Sequence, residues 1–271
     1  MKIIGFNAGQ FGDLAMQTIC CRSVKTLYPD AKITFAIGDR YSSCKNLFLN
    51  QEFIDDIHVW DSYNKWPNEN DIKFLERSNY DLIFNAMPPT YPDWYDNYHQ
   101  IEAVCLTHKL PIISKQLYLN RWFDLDTKYS DYIALSGFTS FGNQKNISIE
   151  KLNNIIKYIK TKFNLKVLNL IGPEDPHLDG CENFYGSYFE SVQKMLSTKF
   201  LLSLDTGMIW YASCYNHPTI GLYGYDFYPS ILKSSINWQP INRNGTYLEA
   251  DHPENIENDK IFAIINKYCE S

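Results

Sequence analysis

The chain has few of the features that would tie it to a metal, a bilayer or a nucleic acid. Its seven cysteines are odd in number and follow no spacing. Cys20 and Cys21 are adjacent and no C-x-x-C occurs, so neither a disulfide framework nor a zinc ribbon is expected. A reducing cytoplasm is the simplest compartment for such a set. No apolar run approaches the length that crosses a membrane. No secretory signal precedes the first apolar stretch either, because Lys2 leads at once into sheet-like sequence. The sequons at Asn146-Ile147-Ser148 and Asn244-Gly245-Thr246 then read as chance in an Asn-rich chain. Lys and Arg total 25 against 31 acidic residues, a formal charge of −6 with no basic run, so no nucleic-acid partner is expected. At 271 residues the chain exceeds one ordinary domain, which suggests two of roughly 130 residues each.

What is present is concentrated at two strand–loop–helix junctions. Lys2–Phe6 is an apolar strand that enters a Gly-rich loop, and Asp13 then opens a helix carrying Leu14, Met16, Gln17 and Thr18. Gly5, Gly9 and Gly12 would let a substrate approach the backbone, and loops at the carboxyl ends of strands are where open α/β sheets hold ligands. An acid there is expected to move a proton. Late in the chain Phe200–Leu204 runs into Asp205-Thr206-Gly207, a second strand, loop and helix with an acid at its mouth.

Between them the pattern alternates. Strands are expected at 33–37, 57–60 and 80–85, with helices over 14–27, 70–78 and 95–108. Tyr28-Pro29-Asp30 stops the first helix, since proline cannot continue it. A less regular segment over 109–128 reads as a connection. The alternation restarts with strands at 131–136, 165–171, 200–204 and 219–223, and helices over 149–163, 208–215 and 256–268. This order implies parallel sheets covered by helices on both faces. The expected domains are 1–125 and 126–271.

Several constellations can be weighed from the residues themselves. Free N–H groups and the positive dipole end at the helix start after Asp205 and Thr206 suit a phosphate, although the same residues would serve as an ordinary N-cap. Asp175-Pro176-His177-Leu178-Asp179 reads as turn chemistry rather than a metal site, and His58, His99 and His108 as packed or solvated side chains. Asp124 and Asp126 have D-x-D spacing but fall in the connection, far from either glycine loop, and read as surface charge. The aromatic segment 87–98 follows a strand. Tyr91 and Trp94 there could stack on a sugar, or simply seal the sheet edge.

The opening stretch Gly9-x-x-Gly12-Asp13-x-x-x-Gln17-Thr18, followed by Tyr28-Pro29-Asp30-Ala31-Lys32-Ile33, resembles the start of the heptosyltransferase-like enzymes of glycosyltransferase family 9. The run Asp205-Thr206-Gly207 … Ala212 … Pro218 … Leu222-Tyr223-Gly224 resembles that family's D-T-G-x-x-H-x-A … P … L-F-G signature. The two lie at opposite ends in the expected order. The resemblance implies a GT-B fold: two Rossmann-like domains whose parallel sheets face each other across a cleft, with the acceptor on the first and a nucleotide-diphosphate sugar on the second. It implies inverting transfer without a metal. Asp13 falls on the family's catalytic base. Thr139, Ser140 and Lys145 fall in the segment facing the diphosphate, Gly172 and Glu174 near the donor ribose, and Asp205, Thr206 and Gly207 at the phosphate-binding helix start. Gly9, Gly12, Tyr91 and Trp94 would meet the acceptor. Two positions depart: Trp210 stands where the family has His, and Pro173 where it has a second Gly.

The function implied is transfer of a heptose-like sugar or a hexose to a glycan or glycolipid acceptor of the lipopolysaccharide type. No cofactor is needed beyond the sugar nucleotide. The location implied is the cytoplasm, reaching at most the inner face of the cytoplasmic membrane by peripheral contact. The chemistry is coherent, because a carboxylate can take the acceptor proton while a lysine and a helix N-terminus absorb the charge of the leaving diphosphate. Two alternatives stay open: a catalytically weakened GT-B protein that only binds sugar nucleotides, which Trp210 would suit, and a nucleotide-sugar epimerase. A dehydrogenase fits less well, because the first loop is not G-x-G-x-x-G.

Overall fold

The protein is described from a computed structural model that covers residues 1–6, 10–60, 69–85, 96–227 and 232–270. The chain divides into two compact units, Met1–Trp122 and Phe123–Ser271.

In the first unit, strands β1 (Lys2–Phe6), β2 (Lys32–Gly38), β3 (Asp56–Trp60) and β4 (Leu82–Asn85) form one sheet in the order β3-β2-β1-β4. Every pairing is parallel, as the alternating pattern required. A parallel sheet must be covered on both faces. Accordingly Ile3, Ile4, Ile33, Phe35, Ala36 and Ile37 are all fully buried. Helix α1 (Phe11–Leu27) follows β1, α2 (Glu69–Arg77) follows β3, and α3 (Gln100–Thr107) follows β4. The α1 helix is enclosed on more than one side: Leu14, Ile19, Cys20, Cys21 and Val24 are fully buried, whereas Leu27 is exposed. A buried Gln17 ties it to the sheet by donating from Nε2 to the Gly5 carbonyl at 2.7 Å.

In the second unit, β5 (Tyr132–Ser136), β6 (Lys166–Leu170), β7 (Glu182–Phe184), β8 (Leu201–Leu204), β9 (Thr219–Gly224) and β10 (Gly245–Ala250) form a six-stranded parallel sheet. The order is β10-β9-β8-β5-β6-β7. The central strands β5, β8 and β9 are buried along their whole length, and the edge strands β7 and β10 are only partly so. Helices α4 (Ile149–Phe163) and α7 (Asn258–Glu270) pack on one face, with Leu152, Ile155, Ile156, Ile159, Ile261 and Ile265 meeting Ile133, Leu135, Ile220 and Leu222. Helices α5 (Tyr188–Leu196) and α6 (Gly207–Cys214) complete the unit.

Most expected elements appear with boundaries shifted by one or two residues. Among the described strands and α-helices three were not anticipated: β7, α5 and β10; nor was the ten-residue 3-10 stretch Asp39–Phe48. The α5 start did carry a readable signal. Ser187 Oγ accepts from Glu190 N at 3.2 Å, and the Glu190 carboxylate accepts from Ser187 N at 2.8 Å, a reciprocal capping box spelled S-x-x-E. The edge strand β7 has only three residues, β10 is half-buried without a continuous apolar run, and both gain their identity from pairing with β6 and β9.

Candidate functional site

The order of the six-stranded sheet runs outward from β5 in one direction and from β8 in the other. In open α/β sheets the crevice beyond the carboxyl ends of two such strands is where ligands bind. Ser136 at the end of β5 and Ser203 on β8 are directly paired in register. Thr206 follows β8 and serves as N-cap of α6, accepting from Met208 N at 3.2 Å. Its hydroxyl also lies 3.2 Å from Ser136 Oγ and 3.1 Å from Ser203 Oγ. Three hydroxyls from β5, β8 and the helix start therefore meet at this switch point. Thr206 fulfils the ordinary capping role and stands at an anion-attracting helix end at once.

Lys145 reaches the same place from the loop after β5. Its ammonium donates to the Asp205 carboxylate in a close ion pair, with only 9% and 15% of the two side chains exposed. The loop is closed by its own bonds. Asn146 Oδ1 accepts from Thr139 N at 2.7 Å, Thr139 Oγ1 from Phe141 N at 3.2 Å, and the Gly142 carbonyl from Lys145 N at 3.0 Å. Gly142 sits at φ +56°, a left-handed conformation that glycine adopts without penalty. Thr139 is thus engaged in shaping the loop, while Ser140 is exposed. On the neighbouring strand Tyr223 is fully buried. Burial first, then the charges of Asp205 and Tyr247, push its phenol well above the usual range and keep it neutral.

After β6 the chain turns at Gly172-Pro173-Glu174-Asp175. The turn is closed by Asp175, whose carboxylate accepts from Gly172 N at 2.7 Å, leaving Glu174 exposed. Among the described residues no group of three or more His, Cys, Asp or Glu side chains gathers to hold a metal ion. Of the histidines weighed from the sequence, His58 stacks on Phe74 at 4.0 Å, His99 caps α3 by accepting from Ile101 N, and the His108 ring donates to the Asn85 carbonyl. Asp126 caps a short turn by accepting from Lys128 N at 3.0 Å.

In the first unit Asp13 occupies the opening turn of α1, next to the buried Gly12. Its Oδ2 accepts from Gln10 N at 2.5 Å, so it tethers the helix start as well as carrying a charge there. Tyr41 lies within its field: burial raises the phenol, the Asp13 charge raises it further, and Arg40 opposes both. Gly5 turns out to serve packing, since a Cβ there would lie 2.3 Å from Phe84 Cζ. Gly9, Tyr91 and Trp94 fall outside the described residues.

Comparison with solved structures gives this arrangement a context. The glycosyl transferase family 9 protein from Veillonella parvula superposes with a TM-score of 0.76, 12% identity, and coverage of 100% of this chain and 97% of that one. The E. coli ADP-heptose lipopolysaccharide heptosyltransferase II gives 0.73 and 14%, covering 100% and 99%. E. coli heptosyltransferase WaaC, solved with ADP, gives 0.71 and 12%, covering 99% and 100%. This chain has the heptosyltransferase fold. At such identities the likeness shows the fold alone, and it agrees with the GT-B architecture read from the end motifs. No protein-family model and no curated protein sequence matches the chain. Within the heptosyltransferase fold, Trp210 lies buried in α6, at 5% exposure. Ser136, Phe141 and Phe227 were not singled out by sequence, and Ser203 and Tyr223 stood beside or within the second motif without a role assigned. A serine at the carboxyl end of each of two apolar strands was the one available sign.

Proposed function

We propose that the protein is a glycosyltransferase that moves a sugar from a nucleotide-diphosphate donor to a glycan or glycolipid acceptor of the lipopolysaccharide type. The observation that carries this reading is the convergence of Thr206, the α6 N-terminus and the Lys145–Asp205 pair at the switch point of the six-stranded sheet. Such a place suits a diphosphate, because backbone N–H groups and an ammonium stabilise the charge that grows on the leaving group. WaaC has been solved both with ADP and with ADP-2-deoxy-2-fluoro heptose, which favours a sugar nucleotide as the donor here.

In this reading Asp13 takes the proton of the acceptor hydroxyl as the new glycosidic bond forms, with inversion at the sugar carbon. Lys145, Thr206, Gly207 and Ser140 face the diphosphate. Asp205 holds Lys145 rather than touching phosphate, since two anions would repel. Glu174, exposed beyond β6, would meet the donor ribose. Gly9, Gly12, Tyr91 and Trp94 belong to the acceptor side. Lysine and helix dipole supply the positive charge that a divalent ion provides in metal-dependent transferases, so EDTA should leave the rate unchanged. The acceptor class would bring the protein to the inner face of the cytoplasmic membrane.

The test is Asp13→Asn, assayed with a panel of ADP-, UDP-, GDP- and CMP-sugars. Donor affinity should persist while transfer falls by at least about 100-fold, the usual weight of a general base. Unchanged turnover in the Asn variant removes Asp13 from the mechanism. Wild-type binding without turnover across the panel and a set of lipopolysaccharide-core acceptors would instead favour a sugar-nucleotide-binding protein that has lost catalysis, the reading that the buried Trp210 suits.

A further inference from the structure

We propose that Phe141 and Phe227 are positioning residues, an aromatic cage that holds the Lys145 ammonium at the start of α6 for a diphosphate. The inference rests on the reading of that site as a sugar-nucleotide site. Lys145 Nζ lies 3.8 Å from the Phe227 ring centroid and 4.9 Å from that of Phe141. The two rings meet edge to face with centroids 4.9 Å apart. They come from separate loops at the same sheet edge: Phe141 follows β5, and Phe227 ends a short turn that follows β9. The Asp205 carboxylate completes the enclosure.

The physical case turns on what each wall does to the ammonium. A lysine on a flexible stem carries roughly 2 kcal/mol of rotamer entropy, which it would surrender when it meets an anion. Fixing it beforehand removes that loss from the binding step. Asp205 alone would fix it only by neutralising it. The aromatic faces attract the cation through their quadrupoles and leave its N–H donors to other acceptors. They also exclude water, which strengthens the attraction between ammonium and phosphate. Phe141 remains 42% exposed, with Gly142 beside it in a left-handed turn, so the ring is held at the surface by a shaped loop and not by core packing.

The experiment uses the full chain and four proteins: wild type, Phe227→Leu, Phe141→Leu and Phe227→Trp. Calorimetric titration with ADP, UDP, GDP and inorganic pyrophosphate gives affinities, and proton–carbon spectra of labelled lysine follow the Lys145 εCH2 group. In wild type that resonance should be displaced upfield by the two rings, and it should return towards the free-lysine position in Phe227→Leu. The cation–π range of about 0.5–2 kcal/mol corresponds to a roughly 2- to 30-fold loss of diphosphate affinity in either Leu variant. Phe227→Trp, which keeps an aromatic face, should recover most of it. Phe141→Leu changes an exposed ring and so serves as the variant least prone to misfold. A Leu variant that binds diphosphate as well as wild type, or more tightly, overturns the cage. So does a Trp variant as weak as Leu, which would assign the effect to apolar packing, or a Lys145 resonance at the free position in wild type. If wild type binds none of the four ligands while the upfield resonance is present, the sugar-nucleotide reading itself fails and the positioning role falls with it.

Discussion

Replacing Asp205 by Asn probes the site at its most charged point. The Lys145 and Asp205 side chains are 9% and 15% exposed, so each sits close to the regime in which losing a partner strands a desolvated charge. Truncating one member of such a pair costs about 3–5 kcal/mol. The two single variants should not be equal. Asp205→Asn leaves an ammonium facing the positive end of α6, unfavourable on both counts. Lys145→Met leaves a carboxylate at that same helix start, where the dipole favours it. Asp205→Asn should therefore be the more damaging by about 1 kcal/mol, and the double variant should cost less than the two singles added together. For a unit of about 150 residues, 3–5 kcal/mol corresponds to a fall in melting temperature of about 6–20 °C. Scanning calorimetry of the full chain, with urea unfolding of all four proteins, closes the cycle. Additivity within about 0.5 kcal/mol, or a Lys145→Met variant weaker than Asp205→Asn, would refute the buried-pair reasoning.

Thr206→Val removes the α6 cap and leaves the buried Ser136 hydroxyl without its partner. A loss of about 2–4 kcal/mol in urea unfolding is expected, with Thr206→Ser restoring most of it. Gly221→Ala would place a methyl 2.5 Å from Tyr247 Cδ1 and 2.7 Å from Ile209 Cδ1, an overpacking cost of about 1–3 kcal/mol measurable as a shift in unfolding midpoint. Burial pushes the His217 pKa down to about 4, so the folded imidazole stays neutral where the unfolded one, near 6.5, takes up a proton. Its contribution is complete above about pH 6.5 and falls by about 1.4 kcal/mol per pH unit as pH drops towards 4. Stability measured from pH 7 to 4.5 should flatten by that slope in His217→Gln; an unchanged slope would place the titration elsewhere.

Lengths of uninterrupted Ile, Val, Leu and Phe made the central strands legible, because a strand buried on both faces must be apolar throughout. The helices α1, α4 and α7 were legible from their spacing, and the α1 stop from Pro29. The edge strands β7 and β10 of the second sheet were not: β7 is only half-buried along its three residues and has no pattern of its own to read. The α5 helix could have been found from Ser187 and Glu190, a local signal that lay unread. At the site, Asp205 and Thr206 stood out by residue type and position, and Lys145 through the family resemblance. Phe141 and Phe227 did not, for an aromatic in a loop is ordinary until its distance to an ammonium is known.

Local sequence alone determined the two α/β units, the direction of their strands and the presence of an acid or hydroxyl at each strand-to-helix turn. These follow from interactions over a few residues: apolar periodicity, capping and the stiffness of proline. The tertiary structure decided which strands are neighbours, that Ser136 pairs with Ser203 and faces Thr206, and that Lys145 is shared by Asp205 and two phenyl rings. Phe141 is a neighbour of Lys145 in the same loop, but Asp205, Phe227 and the Ser136–Thr206 pair span roughly 60 to 80 residues of chain, and only the assembly of the six-stranded sheet brings them within contact distance, where charge and desolvation begin to act.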